Sequence, residues 1–197
     1  MHWDRLFEDL EGQLASEWEA ERAALDAESE RLRISRITLG DRLRALSAGR
    51  HPVLLETVHG ERSRAVIRDV GADWLAVEPR DLRALQIVPF RAVLGVQSDH
   101  GALLSSLEEA TAPAELRARM TLGFVLRDLA RRRVSVTVVT ARGEPIHGTI
   151  DRAGADHLDL AVHERGEPRR AGAVHEFRII PDTAIGAVLV ESAGYGL

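Results

Sequence analysis

Residues 38–77 read TLGDRLRALSAGRHPVLLETVHGERSRAVIRDVGADWLAV, and residues 121–160 read TLGFVLRDLARRRVSVTVVTARGEPIHGTIDRAGADHLDL. Set one above the other without a gap, the two stretches agree at 16 of 40 positions. Thr38-Leu39-Gly40 meets Thr121-Leu122-Gly123, Leu43, Arg44, Leu46 and Arg50 meet Leu126, Arg127, Leu129 and Arg133, and Gly71-Ala72-Asp73 meets Gly154-Ala155-Asp156. The agreement then slips and resumes at an offset of 92, where Ile87-Val88-Pro89 and Ala92 answer Ile179-Ile180-Pro181 and Ala184. The chain is therefore an internal repeat, and one supersecondary unit has to be read twice. The nine extra residues of the second copy fall in the polar stretch 163–172, an exposed loop whose ends are fixed by strands.

Each copy opens with apolar residues three and four apart, Leu39, Leu43 and Leu46 in the first and Leu116, Met120, Phe124, Leu126 and Leu129 in the second, the pattern of an amphipathic helix. In the second copy the helix is expected to reach back to Pro113, a residue suited to a first turn. The period then changes to two. Val53 to Thr57, Ala65 to Ile67, Leu75 to Val77, Leu85 to Val88 and Val93 to Val96 read as five short strands, with turns at Gly60 and at Gly71-Ala72-Asp73. Their counterparts in the second copy read the same way. The fold class is α+β, mainly β.

Outside the repeat, residues 3–34 contain no proline and abound in Glu, Ala, Leu and Arg, which favour one long helix. Trp3, Phe7, Leu10, Leu14, Trp18, Leu25 and Leu32 fall on one stripe with an eleven-residue recurrence. The stripe suits either packing against the chain's own sheets or a partner surface. The expected organisation is an acidic N-terminal helix over 1–34, a first unit over 35–98, a linker or short acidic helix over 99–117, a second unit over 118–192 and a tail over 193–197.

Charge follows these boundaries. Residues 1–34 carry ten acids and four arginines, and residues 35–98 carry seven acids and ten arginines. The net charge of −5 argues against unspecific nucleic-acid binding, which depends on many cations displacing counterions, but it permits a local arginine patch. All 26 basic residues are arginine, a skew that fits coding DNA rich in G and C, as in a high-GC bacterium. The absence of cysteine excludes disulfides, thiol nucleophiles and thiolate metal sites. The eight histidines show no metal-ligand spacing, and no phosphate-binding or nucleophile-elbow motif is present. The expectation is no enzyme, no cofactor and no metal. With no apolar run near the roughly 20 residues of a bilayer span and no secretory signal pattern, the chain is expected to be cytoplasmic and free of membrane contact.

One helix followed by five short strands, with a glycine in the first hairpin and an Ile-Pro-x-x-Ala-Val/Ile ending, resembles the Sm-like fold, and the resemblance covers both copies. It implies two tandem small barrels, each a bent antiparallel sheet closed on itself, whose fourth and fifth strands are edges that pair with a neighbouring unit. The SH3-like domain of ribosome maturation factors is the structural alternative. The resemblance also implies RNA contact through the loops between strands two and three and between strands four and five. Arg68, Asp73, Trp74, Arg91 and His157 are the candidate nucleic-acid residues, through stacking rings and phosphate-seeking cations.

Several positions have a structural reading instead: Gly71 and Gly154 for positive φ in a turn, Trp74 for packing, Asp73 and Asp156 for bonding their own turn, and Arg131 to Arg133 for the helix end. Two functions are accordingly expected. The first is an RNA-binding module. The second is a protein interaction or homo-oligomeric assembly module that uses free strand edges and the Trp3, Phe7, Leu10, Leu14, Trp18 stripe.

Overall fold

The structure is a computed structural model that describes residues 2–108, 115–166, 169–170 and 172–191. It divides into two compact units, residues 1–38 and residues 39–197. The first is a single helix, α1 (His2–Ser35), held along its exposed face by pairs one turn apart, such as Arg33 with Glu30 at 2.7 Å and Arg31 with Glu28 at 3.5 Å.

The second unit carries both copies of the repeat. The first copy is α2 (Leu39–Ala48), β1 (Pro52–Thr57), β2 (Arg62–Val70), β3 (Trp74–Pro79), β4 (Ala84–Pro89) and β5 (Val93–Gln97). A linker with α3 (His100–Ser105) and α4 (Glu115–Ala118) follows. The second copy is α5 (Leu122–Arg131), β6 (Ser135–Thr140), β7 (Pro145–Ala153), β8 (His157–Val162), β9 (Glu176–Pro181) and β10 (Ile185–Glu191). The expected strands are thus all present, and the loop that carries the extra residues lies between β8 and β9.

The repeat extends to backbone detail. Leu55 faces Val96 as Val138 faces Val188, and the same irregularity interrupts both pairings one step later. Gly60 and Gly143 take φ of 81° and 85° in the first hairpin of each copy. Arg50 and Arg133, at φ 50° and 56°, end the two helices in the left-handed region, where His51 N–H reaches the Leu46 carbonyl and Val134 N–H the Leu129 carbonyl. Arg131 to Arg133 therefore finish a helix, with Arg131 and Arg132 on Asp128 and Arg133 on Asp151.

Two expectations are corrected. The second helix does not run back to Pro113, a residue outside the described set. It starts at Leu122 behind Thr121, whose side chain accepts the Phe124 N–H, and α4 is a separate turn. The barrel expected of each copy is also not closed. All ten strands belong to one open antiparallel sheet, in the order β5-β1-β2-β3-β4-β10-β6-β7-β8-β9.

The join is the pairing of β4 with β10, in which Leu85 lies opposite Val190 and Ile87 opposite Val188. Two apolar cores fill the unit, and each borrows across the join. One packs Trp74, Ala76 and Ile87 of the first copy with Leu122, Leu126, Ile150, Leu160 and Val188 of the second. The other packs Leu43, Leu55, Ile67 and Leu75 of the first copy with Ala187 of β10. Burial of each such large side chain contributes about 1.5–3 kcal/mol, so the join is part of the core and not a surface contact.

Candidate functional site

The β2–β3 turn (71–73) with the short 3₁₀ turn after β4 (Phe90–Ala92), and the β7–β8 turn (154–156) with that after β9 (Asp182–Ala184), come together in each copy. Phe90 N–H donates to the Asp73 carbonyl at 2.8 Å, and Asp182 N–H donates to the Asp156 carbonyl at 2.7 Å. Helix arginines brace the turns from beneath, Arg44 on the Gly71 carbonyl at 3.5 Å and Arg127 on the Gly154 carbonyl at 3.4 Å. Gly71 and Gly154 have no positive φ. They are glycines because the Trp74 and His157 rings lie where a Cβ would stand.

The expected nucleic-acid residues are placed as follows. Trp74 is 6% exposed, and its indole N–H donates to the Met120 carbonyl at 2.8 Å, so its ring faces are occupied by the protein. Asp73 does not bond its own turn through its side chain; Oδ1 accepts the Leu122 N–H at 2.7 Å and so caps α5. Arg91 donates to the Asp182 carbonyl, across from one copy to the other. Arg68 lies on the outer side of β2 in an exposed pair with Glu78 at 2.5 Å. His157 donates to Asp156 at 2.8 Å, which raises the imidazole above its ordinary range and lowers the carboxyl.

Arg91, His157 and Asp73 are thus brought to one face, while Arg68 is held elsewhere by Glu78. The face also contains Asp182. Burial pushes its carboxyl upward, against Arg91, and the negative charges of Asp156 and Asp73 add to the push. Its Oδ1 is buried without a hydrogen-bond partner among the described residues. A phosphate approaching here meets three aspartates, and the two cations are already engaged.

The sheet edges differ from this face. Among the described residues no strand pairs with the outer side of β5 or of β9. These strands are the repeat mates of β10 and β4, which cover each other, so each bare position has a covered twin. Ile87 in β4 is 4% exposed and its twin Ile179 in β9 is 70% exposed. Leu85 packs against the core, and its twin Phe177 is 68% exposed. On β5, Leu94 is 64% exposed where its twin in β10 is the buried Gly186. Sequence reasoning missed Leu94, Phe177 and Ile179, because periodicity assigned the strands without saying which copy keeps a neighbour.

Of the expected partner stripe, Leu10, Leu14 and Trp18 are exposed on α1, and the Trp3 and Phe7 side chains lie outside the described residues. A buried polar group lies at the other end of the second copy. His163 Nδ1 donates to the Glu164 carbonyl at 3.0 Å, its Nε2 accepts from Thr149 at 2.9 Å, and its ring meets that of His147 edge-on at 5.3 Å. Arg165 reaches Thr137 at 3.1 Å and Glu191 at 3.2 Å, which fastens the inserted loop to β6 and β10.

Among the described residues no group of three His, Cys, Asp or Glu side chains converges to hold a metal ion, and no helix is long and apolar enough to cross a membrane. Comparison with protein-family models, with curated proteins and with solved structures gives no match.

Proposed function

We propose that this chain is a non-enzymatic, Sm-like assembly module that takes up an extended protein strand at each of its two bare sheet edges. The observation that carries the reading is the contrast between twins: Ile87 and Leu85 are covered by β10, while Ile179 and Phe177 present the same strand surface uncovered. An apolar strand edge left open recruits another strand unless it is blunted by charge, proline or cover, and β9 has two bulky apolar residues pointing outward along it. The helix that precedes five strands in each copy, and the order β5-β1-β2-β3-β4 with its equivalent β10-β6-β7-β8-β9, support the Sm-like assignment. The RNA-binding alternative has less support, since Trp74 is buried and the loop face is lined by Asp73, Asp156 and Asp182.

The test is amide hydrogen exchange on the full chain with synthetic peptides that match strands already covering their twins. A β10 peptide, residues 184–191, is expected to slow exchange in β9 by about tenfold or more, and a β4 peptide, residues 84–89, to do so in β5. A labelled single-stranded RNA pool is expected to leave both edges unchanged. Unaltered exchange at both edges with either peptide, or RNA binding that protects the loop face and weakens steeply with salt, overturns the proposal.

A further inference from the structure

We infer that the outer face of the first copy holds a site for a small organic molecule carrying a phosphate monoester, with Arg64 and Arg80 as the residues that take the phosphate. The inference goes beyond the edge-pairing reading and does not rest on it. Strand pairing sets four residues in one row. Gln97 lies opposite Leu54, Leu54 lies opposite Arg64, and Arg80 N–H donates to the Arg64 carbonyl at 2.8 Å. Residues directly opposite in an antiparallel ladder leave the same face about 5 Å apart, and like charges in that position repel. The acids of β1 and β3 on that face are engaged elsewhere, Glu56 with Arg62 at 2.9 Å and Glu78 with Arg68 at 2.5 Å. Among the described residues neither Arg64 nor Arg80 has a side-chain hydrogen-bond or ion-pair partner. Two positive charges thus stand side by side without an acid to offset them.

The second copy has the same row satisfied from within. The twins of Arg64 and Arg80 are His147 and His163, and the backbone bond recurs, from His163 N–H to the His147 carbonyl at 3.3 Å. There His147 bonds Thr137, the twin of Leu54, at 3.0 Å. His163 is 3% exposed and bonded to Thr149 and to the Glu164 carbonyl, and Arg165 of the inserted loop reaches across to Thr137. The first copy lacks the inserted residues. At the same place it leaves an open cleft of about 430 Å³, lined by Arg64 and Arg80, by Gln97 and by the apolar side chains of Pro52 and Leu54. A cleft of that size suits a small molecule. Asp99, which also lines it, accepts the Ala102 N–H at 2.9 Å, and Ser98 donates to the Pro52 carbonyl at 2.9 Å, so the rim is fixed. A phosphate dianion accepts from both guanidinium forks and removes the repulsion between them, while the carbon body of the ligand lies on Leu54 and Pro52.

The test is NMR of the full chain, following the arginine Nε–Hε signals during titration at constant ionic strength, with the thermal midpoint as a folding control. Phenyl phosphate is expected to shift the Arg64 and Arg80 signals saturably, inorganic phosphate to do so only at about tenfold higher concentration, and phenol not at all. Arg64→Gln and Arg80→Gln are each expected to weaken phenyl phosphate about tenfold. Each is also expected to leave the midpoint unchanged or higher, because it removes one of two opposed like charges. Arg62→Gln, on the same strand but paired with Glu56, is expected to weaken binding by less than about twofold. No saturable shift with phenyl phosphate, or equal losses in all three variants, overturns the inference. Inorganic phosphate that binds as tightly as phenyl phosphate overturns the organic ligand. A short single-stranded RNA that shifts the same two signals at about a hundredfold lower concentration also overturns it, since the pair then serves a nucleic-acid backbone.

Discussion

Two histidines of the second copy are shifted in opposite directions by surroundings that a sequence does not display. His157 gains a carboxylate partner in Asp156, so its proton is held above the ordinary value near 6.5. His147 is pushed below that value by burial first, with the His163 ring and Arg165 adding. The linkage has opposite signs. The raised His157 contributes stability that is present below about pH 6.5 and is lost as pH rises through its folded value. The lowered His147 favours the fold in its neutral form, so its effect is a loss of stability as pH falls from about 6.5 toward its folded value. Titration of the histidine ring signals by NMR is expected to place His157 above and His147 below 6.5. Asp156→Asn is expected to return His157 toward the ordinary value and leave His147 where it was. Coincident midpoints in the wild-type chain contradict both environments. Little of this was legible from spacing: the eight histidines carry no motif, and although Asp156 adjoins His157 in the chain, the burial of His147 and its approach to His163 and Arg165 are set by the fold.

At the scale of the element, the change from a helical period to a period of two located ten strands and two helices, because a half-buried strand must alternate and a helix on a sheet must keep one apolar face. The start of α5 was not located by that signal. Pro113 drew the helix backward, whereas Thr121, already visible as the twin of Thr38, is the cap. The reason lies in tertiary bonds. The Met120 carbonyl just before the helix is taken by the Ala72 N–H at 2.9 Å and by the Trp74 indole, and the Leu122 N–H is taken by Asp73. One copy's loop thus breaks and caps the other copy's helix, which no local pattern encodes. Asp73 and Asp156 are identical in the repeat and unlike in role. Asp73→Ala and Thr121→Ala are each expected to cost about 1 kcal/mol, the usual cost of a lost helix cap. Asp156→Ala, at the exposed twin, is expected to cost clearly less. Denaturant unfolding of the three variants measures this, and equal losses for Asp73→Ala and Asp156→Ala refute the capping role.

For the whole molecule, the repeat made two similar bodies legible but left open whether they stand apart. Adjacent closed barrels need cores of their own, and the sequence supplies each copy with enough Leu, Ile and Val to suggest them. The structure instead continues the sheet through β4 and β10 and shares both cores across that line, with Ile87 and Trp74 in one and Ala187 in the other. The twins differ where the copies meet, since β10 has Gly186 where β5 has Leu94. A Cβ at Gly186 would approach the His59 ring to 2.9 Å and the Thr140 carbonyl oxygen to 3.0 Å, so the space between β10, β6 and the first copy's first hairpin accepts no side chain there. Shared cores make the two copies one cooperative unit, because removing either exposes apolar surface of both. Residues 39–191 are accordingly expected to unfold in a single transition, with coincident midpoints in far-ultraviolet circular dichroism and in amide exchange of β2 and β7. Ile87→Ala, a truncation at the seam of about 2–5 kcal/mol, is expected to lower the protection of β7 as much as that of β2. Two transitions, or a loss confined to β2, would mean that each copy stabilises itself and that the β4–β10 pairing merely joins finished domains. The shared core requires the opposite result, since the atoms that Ile87→Ala deletes are packed against Val188, a residue of the other copy's last strand.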